Sequence, residues 1–240
     1  MTVMESVAIE QPDEPAPIIL AIDASGDHAS VALWAAGKLL GQTQNNAKHG
    51  HAATLVPMVR DLLREHGVVF SALTHIAGGV GPGSFTGIRV ALATAKGFCL
   101  ATGATPIGVS VLAANAYAAA KAGHNKGCDM VILADTRRRS VYAQRFNPSG
   151  DANSDIIEAN SGDVLSDLAV GSVVLAVAGA MHSDVLASSD IRHFAMGDLP
   201  VPDASQIAVL AAAKISNDVS LDPLTPLYLA PAFLGPKRVA

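Results

Sequence analysis

Short apolar runs bounded by turn residues alternate with stretches of helical spacing along this chain, and midway the alternation begins again. Ile18–Ile22 is apolar throughout and predicts a buried strand. Asp23-Ala24-Ser25-Gly26-Asp27-His28 supplies a turn, Ala29–Trp34 returns as a second strand, Ala35-Ala36-Gly37 turns again, and Lys38–Gln44 makes a third. Two antiparallel hairpins therefore follow one another. From about His51 to His66 the period becomes helical: Leu55, Val59, Leu62 and Leu63 share a face, Pro57 falls early, and Gly67 stops the helix. Leu73–Gly79 predicts a fourth strand. A glycine-rich loop then leads into a second helix from about Phe85, with Ile88, Leu92, Ala95 and Cys99 on one face and Gly103 as its stop. Thr105–Val109 reads as a fifth strand and Val111–Ala122 as an alanine-rich third helix closed by Gly123.

The pattern restarts at Met130–Ala134, a buried run that ends at Asp135. A polar turn, Thr136–Arg139, and a returning strand, Ser140–Phe146, repeat the opening motif, with Asp23 and Asp135 in equivalent places 112 residues apart. A strand near Ile156-Ile157, a short helix at Gly162–Ala169, a strand at Val173–Ala178, a weak helix at His182–Ala187 and a final helix from about Asp203 to Ser216 continue the second copy. We read a duplicated α/β unit. The expected organisation is a disordered tail over 1–17, a first lobe over 18–125, a second lobe over 126–222 and an extended, proline-bearing tail over 223–240.

Composition narrows the classes. Half of the 240 residues are hydrophobic and 15% are charged, enough apolar surface for one large or two small cores. The net charge is −5 and no basic run exceeds Arg137-Arg138-Arg139, so a chain that grips RNA by itself through a broad basic face is not expected. Two unclustered cysteines, Cys99 and Cys128, make neither a zinc site nor a disulfide framework. The acidic opening stretch lacks the apolar core of a signal peptide, and the expected compartment is the cytoplasm. Gly97–Ala120 is uncharged over 24 residues, but Gly103, Pro106, Gly108 and Asn115 interrupt it, and a helix, a strand and a second helix fit it better than a membrane span.

The loop from Gly78 to Gly87 is the first candidate for chemistry. A strand, a glycine turn and a helix N-terminus make a potential anion site, with Gly81, Gly83, Ser84 and Thr86 as candidate contacts and Ser84 or Thr86 as the cap. The alternative is a turn that lets the helix pack closely on the strand. Ile88-Arg89 stand where a Walker loop needs Lys-Ser/Thr, the glycine spacing fails the dinucleotide fingerprint, and Pro82 occupies the first glycine of a nucleophile elbow. Asp23 with Ser25 is either a phosphate- and metal-holding carboxylate, as at this position in actin-like ATPases, or an Asx turn. Asp135, Arg137 and Tyr142 form a candidate polar group between the lobes, or a solvated hairpin tip. The eight histidines form no ligand cluster, and no metal site is expected.

The run from Gly81 to Gly97, Gly-Pro-Gly-Ser-Phe-Thr-Gly-Ile-Arg-Val-Ala-Leu-Ala-Thr-Ala-Lys-Gly, closely resembles the signature of the TsaB (YeaZ) family, the dimerisation subunit of the bacterial tRNA threonylcarbamoyladenosine (t6A) machinery. Leu20-Ala-Ile-Asp23, Ile107-Gly-Val-Ser110, Asp135-Thr-Arg137 and, more thinly, Pro226-Leu-Tyr-Leu229 extend the likeness. It departs at Arg139-Ser140, where the family often has Gly-Glu, and at Ala230, where it often has Arg. The resemblance implies an actin-like ATPase (ASKHA) fold of two RNase-H-like lobes with mixed sheets flanked by helices. It implies a chain with no catalytic residues of its own, because Val111 and Asn115 stand where the catalytic paralogue, TsaD, binds a metal through His-x-x-x-His. The implied partners are a TsaD-type catalytic subunit and a TsaE-type ATPase, with a homodimer allowed for the isolated chain and tRNA reached only through the complex. Transfer of threonylcarbamoyl to N6 of adenosine 37 in tRNAs reading ANN codons is the implied reaction. No cofactor is required by the chain alone, with ATP allowed at a shared interface. The implied contact runs through the first two helices, for which Leu55, Val59, Leu62, Ile88, Leu92 and Ala95 are the candidates. The rival readings are an independent ATPase or sugar-kinase-like phosphotransferase at Asp23 and the glycine loop, and a metallopeptidase of the older M22 label.

Overall fold

The computed structural model describes residues 16–45, 51–136, 140–166, 173–177, 196–199 and 203–229. Two five-stranded sheets organise them. The first contains β1 (Ile19–Asp23), β2 (Ala29–Ala35), β3 (Lys38–Asn45), β4 (His75–Gly81) and β5 (Thr105–Ser110), in the order β3-β2-β1-β4-β5. β1 to β3 are antiparallel neighbours, whereas β4 pairs parallel to both β1 and β5. The second contains β6 (Met130–Asp135), β7 (Val141–Phe146), β8 (Ile157–Ala159), β9 (Val173–Val177) and β10 (Met196–Leu199), in the order β10-β9-β6-β7-β8. β6 to β8 are again antiparallel, and β9 runs parallel to β6 and β10. The two sheets thus share one topology, and Asp23 and Asp135 close their equivalent central strands. This is the actin-like arrangement of two mixed-sheet lobes. β10 was not legible in the sequence, because Met196-Gly-Asp-Leu199 carries neither an apolar run nor alternation.

The central strands β1 and β6 are buried on both faces, which is why they are apolar at every position before the aspartate. One face of the first sheet packs on α1 (His51–Glu65) and α2 (Phe85–Thr102) around Leu20, Ile22, Leu33, Leu55, Val59, Ile76 and Leu92. Ser84 caps α2, its hydroxyl accepting from the Gly87 N–H at 3.3 Å, and Gly103 at φ 76° ends it. α3 (Val111–Lys121), capped by Ser110, lies between the lobes. Its Ala114 joins the core on the other face of the first sheet, and its Leu112, Ala116 and Ala119 pack on the second. α4 (Ser161–Ser166) sets Val164 against the far face of the second sheet.

The last described helix, α5 (Ala204–Ser216), corrects the sequence-based organisation. It packs not on the second sheet but on the first, where Ala204, Ile207, Ala208 and Ala211 meet Ile19, Ala21, Ala32, Ala77 and Ile107. Small residues on both sides let the helix approach the strands closely. The chain then follows the first lobe as a strap: the Gly108 N–H donates to Asp222 O at 2.7 Å, the Leu227 N–H donates to Val80 O at 2.9 Å, and Leu224 is buried in the first core. Residues 203–222, expected with the second lobe, and 223–229, expected as the start of an extended tail, therefore complete the first lobe. The expected helix at 182–187 lies outside the described residues, as does nearly all of the expected tail at 1–17.

Candidate functional site

The glycine stretch is mostly strand. β4 continues through Gly78-Gly79-Val80-Gly81, all buried, and the loop before α2 is only Pro82-Gly83-Ser84. The physical reason is the lack of room for side chains. A Cβ on Gly78 would lie 2.8 Å from Leu92 Cδ2 and 2.9 Å from Leu224 Cδ2, one on Gly79 would collide with Asp23 Oδ1, and ones on Gly83 and Gly87 would strike the backbone of Ser25 and Ala24. The Ser84 N–H donates to Ser25 O at 2.7 Å. Structure thus brings Asp23, Ser25, Gly81, Gly83 and Ser84 together, while Thr86 is exposed on α2. The turn after β1 packs directly against the loop, and the Ser84 N–H is taken by the Ser25 carbonyl.

Asp23 is 1% exposed, and its Oδ2 accepts from the Ser25 N–H at 3.2 Å and the Ser25 hydroxyl at 2.9 Å, the geometry of an Asx turn. Oδ1 finds no hydrogen-bond donor among the described residues. Burial, opposed by the two Ser25 hydrogen bonds, pushes the carboxyl up to about 6, and the nearby Asp203 carboxylate adds to the rise. Asp203 itself caps α5 through Ser205 and Gln206, and the Ser30 hydroxyl accepts from the Ala204 N–H at 2.9 Å. This ties the end of β1, the start of β2 and the start of α5 into one buried junction.

Val111 and Asn115 stand one turn apart at the entry of α3, both buried. The Asn115 amide donates to Val111 O at 3.0 Å, and Val111 Cγ2 packs beside Gly79. An isopropyl group offers a metal nothing, and an amide is a weak substitute for imidazole. Among the described residues no three His, Cys, Asp or Glu side chains are grouped to hold a metal ion. At the second lobe's equivalent hairpin, Asp135 ends β6 and Tyr142 is partly buried against the second core; Arg137 lies outside the described residues. Thr136, Ser140 and Glu158 are linked there by hydrogen bonds of 2.7 and 2.6 Å.

The six residues expected to meet a partner do not reach the surface. Leu55, Val59, Leu62, Ile88, Leu92 and Ala95 are at most 5% exposed, all within the core between the helices and the first sheet. The apolar periodicity marked the sheet-facing side of each helix. The outer sides carry Ala53, Val56 and Pro57 on α1, and Ala93, Lys96, Gly97 and Leu100 on α2. Val56 is 50% and Leu100 90% exposed. At the N-terminal end of the α2 face stands a cluster that sequence reasoning missed. The Arg89 guanidinium lies 3.8 Å from the Phe85 ring centroid, and its Nε donates to the Tyr228 hydroxyl at 3.1 Å. Tyr228 comes from the strap, 139 residues away, and no local signal links the two.

A family model described as "TsaD: tRNA N6-adenosine threonylcarbamoyltransferase" matches residues 38–199, more than half of the chain. The Escherichia coli tRNA threonylcarbamoyladenosine biosynthesis protein TsaB is 36% identical over 125 residues, 52% of each chain, and its Haemophilus influenzae counterpart is 33% identical over 126. The match thus spans about half the length of these curated relatives. An uncharacterised Mycobacterium tuberculosis protein is 29% identical over 198 residues, 80% of each chain. The solved structure of YeaZ from Pseudomonas aeruginosa superposes with a TM-score of 0.71 at 28% identity, covering 89% of this chain and 100% of that one. A second Pseudomonas aeruginosa structure, described as similar to the peptidase YeaZ, gives 0.75 at 27%. The family model, the sequence relatives and the solved structures agree, and the chain belongs to the TsaB (YeaZ) family.

Proposed function

We propose that this chain is a non-catalytic partner of a TsaD-type subunit and supports threonylcarbamoyl transfer to N6 of adenosine 37 in tRNAs reading ANN codons. The observation that carries the reading is the entry of α3. Where the catalytic paralogue places two metal-binding histidines, this chain places a buried valine and an asparagine whose amide is committed to a backbone carbonyl. The same feature weighs against a metallopeptidase. The independent phosphotransferase reading needs an accessible carboxylate and an open loop. Asp23 is instead buried in an Asx turn, and the backbone of Ala24 and Ser25 closes the loop.

The partner surface in this reading is the outer side of α1 and α2, through Val56, Ala93, Gly97 and Leu100. Small residues there allow a helix of the partner to approach closely. A TsaE-type ATPase joins the assembly, tRNA is held by the complex as a whole, and any ATP belongs to a shared site. The test is formation of threonylcarbamoyladenosine on tRNA by the other pathway proteins, with and without this chain, and by this chain alone. Product that requires the chain, with none from the chain alone, is the expected result. Equal product without it would end the reading.

A further inference from the structure

We propose that Phe85, Arg89 and Tyr228 form a composite anchor for a carboxylate-bearing protein partner, one of its three side chains delivered by the C-terminal strap. The proposal rests on the partner-subunit reading above and names the part of the surface that decides affinity. The three side chains form one contiguous exposed group. Phe85 is 43% and Tyr228 57% exposed, their ring centroids are 5.9 Å apart at 46°, and the guanidinium sits 3.8 Å from the first and 5.5 Å from the second. Two aromatic rings and an arginine are the residue types that carry most of the energy at protein interfaces.

Charge decides what the anchor takes. Among the described residues Arg89 has no carboxylate within ion-pair distance and its one hydrogen bond uses Nε, so both terminal nitrogens remain for a partner. From Pro82 to Ala101 the chain carries Arg89 and Lys96 and no acidic residue, although the whole chain is at −5. The first turn of α2 is likewise without an acid, so the positive end of the helix dipole is uncompensated beside the arginine. The guanidinium lies against both rings, and its planar fork suits a bidentate pair with a carboxylate. The group continues into the outer face of α2, since Phe85, Arg89, Ala93, Gly97 and Leu100 follow one another at helical spacing.

The strap is built to hold Tyr228 there. Leu224 fills the space that Gly78 leaves open, Gly108 lets the Pro223 carbonyl close in on β5, and the Leu227 N–H is bonded to Val80 O one residue before the tyrosine. The ring is thus positioned before any partner arrives, which reduces the ordering cost of binding.

The experiment measures binding of the full-length chain to its TsaD-type subunit by calorimetry at several KCl concentrations. The variants are Arg89→Gln, Tyr228→Ala, the pair together, and Val219→Ala as an equally exposed control away from the cluster. Arg89→Gln and Tyr228→Ala should each weaken binding at least about tenfold. The double variant should lose less than the product of the two, because the side chains touch. The wild-type Kd should rise with salt more steeply than that of Arg89→Gln. Each variant should melt within a degree or two of wild type, since the residues are exposed. If the wild type binds and both variants bind within threefold of it, the anchor is wrong while the partner reading stands. If the wild type does not bind, both fall. Unchanged partner affinity with weakened tRNA binding by the assembled complex would assign the cluster to RNA and overturn the proposal.

Discussion

Asp23 shows how a single buried group is set by its neighbours. Its pKa is raised from 3.8 to about 6, so the folded state favours the protonated form. The stabilisation is complete below about pH 4 and is lost as pH rises through 6, a loss of up to about 3 kcal/mol. Asp23→Asn keeps an acceptor for Ser25 and removes the titration. It should therefore be more stable than wild type at pH 8 and about equal at pH 4, as measured by urea unfolding at the two values. Two glycines of α2 make a second contrast. Alanine normally favours a helix interior over glycine by about 1 kcal/mol. Gly97→Ala enters open space and should stabilise by about 0.5–1 kcal/mol, whereas the Gly87→Ala methyl meets the Ala24 carbonyl and should destabilise by about 1–3 kcal/mol. Thermal melts of the isolated chain separate the two. The glycines were legible as a motif, but only the approach of Ala24 to Gly87 tells which of them cannot change.

Helices α1 and α2 carry the lesson of the element scale. Their apolar stripes, Leu55, Val59, Leu62, Ile88, Leu92 and Ala95, expected to meet a partner, face the sheet instead. Each buried leucine contributes roughly 1.5–3 kcal/mol. Leu55→Asp should therefore unfold the first lobe, seen as loss of the cooperative melt, and would report nothing about a partner. Val56→Asp and Leu100→Asp should leave the melt unchanged and lower threonylcarbamoyladenosine formation in the reconstituted assay, through weaker assembly. Periodicity identifies the side a helix buries; it is silent on a second, flatter contact made of Val56, Ala93, Gly97 and Leu100.

Across the whole molecule, the first lobe is discontinuous. α5 and the strap return from beyond the second sheet to cover Ile19, Ala21, Ala77 and Ile107 and to plug the first core with Leu224. A chain ending at residue 202 leaves most of one face of the first sheet uncovered, with Ala114 of α3 still packed there. It should be poorly soluble and bind a hydrophobic dye, whereas residues 16–125 joined by a linker to 203–229 should regain a cooperative melt. The opposite outcome, a well-folded 1–202, would show that α5 adds little to this lobe. α3, packed on both sheets, couples the lobes through Leu112, Ala114 and Ala116. No helix among the described residues is long and apolar enough to cross a membrane, as the interrupted run at 97–120 already suggested.

The sequence alone determined what depends on local pattern. It specified the strands flanked by turns, the helix caps and stops, the duplication marked by Asp23 and Asp135, and the Gly81–Gly97 signature of the family. These follow from side-chain period and backbone preference within a few residues. Tertiary structure decided everything that depends on distant segments meeting. It buried the stripes of α1 and α2, turned the glycine run into strand, closed the loop with Ala24 and Ser25, and returned α5 to the first sheet. It also set Tyr228 on Arg89. Contacts between residues so far apart in the chain leave no local periodicity, so they become visible only once the backbone is folded.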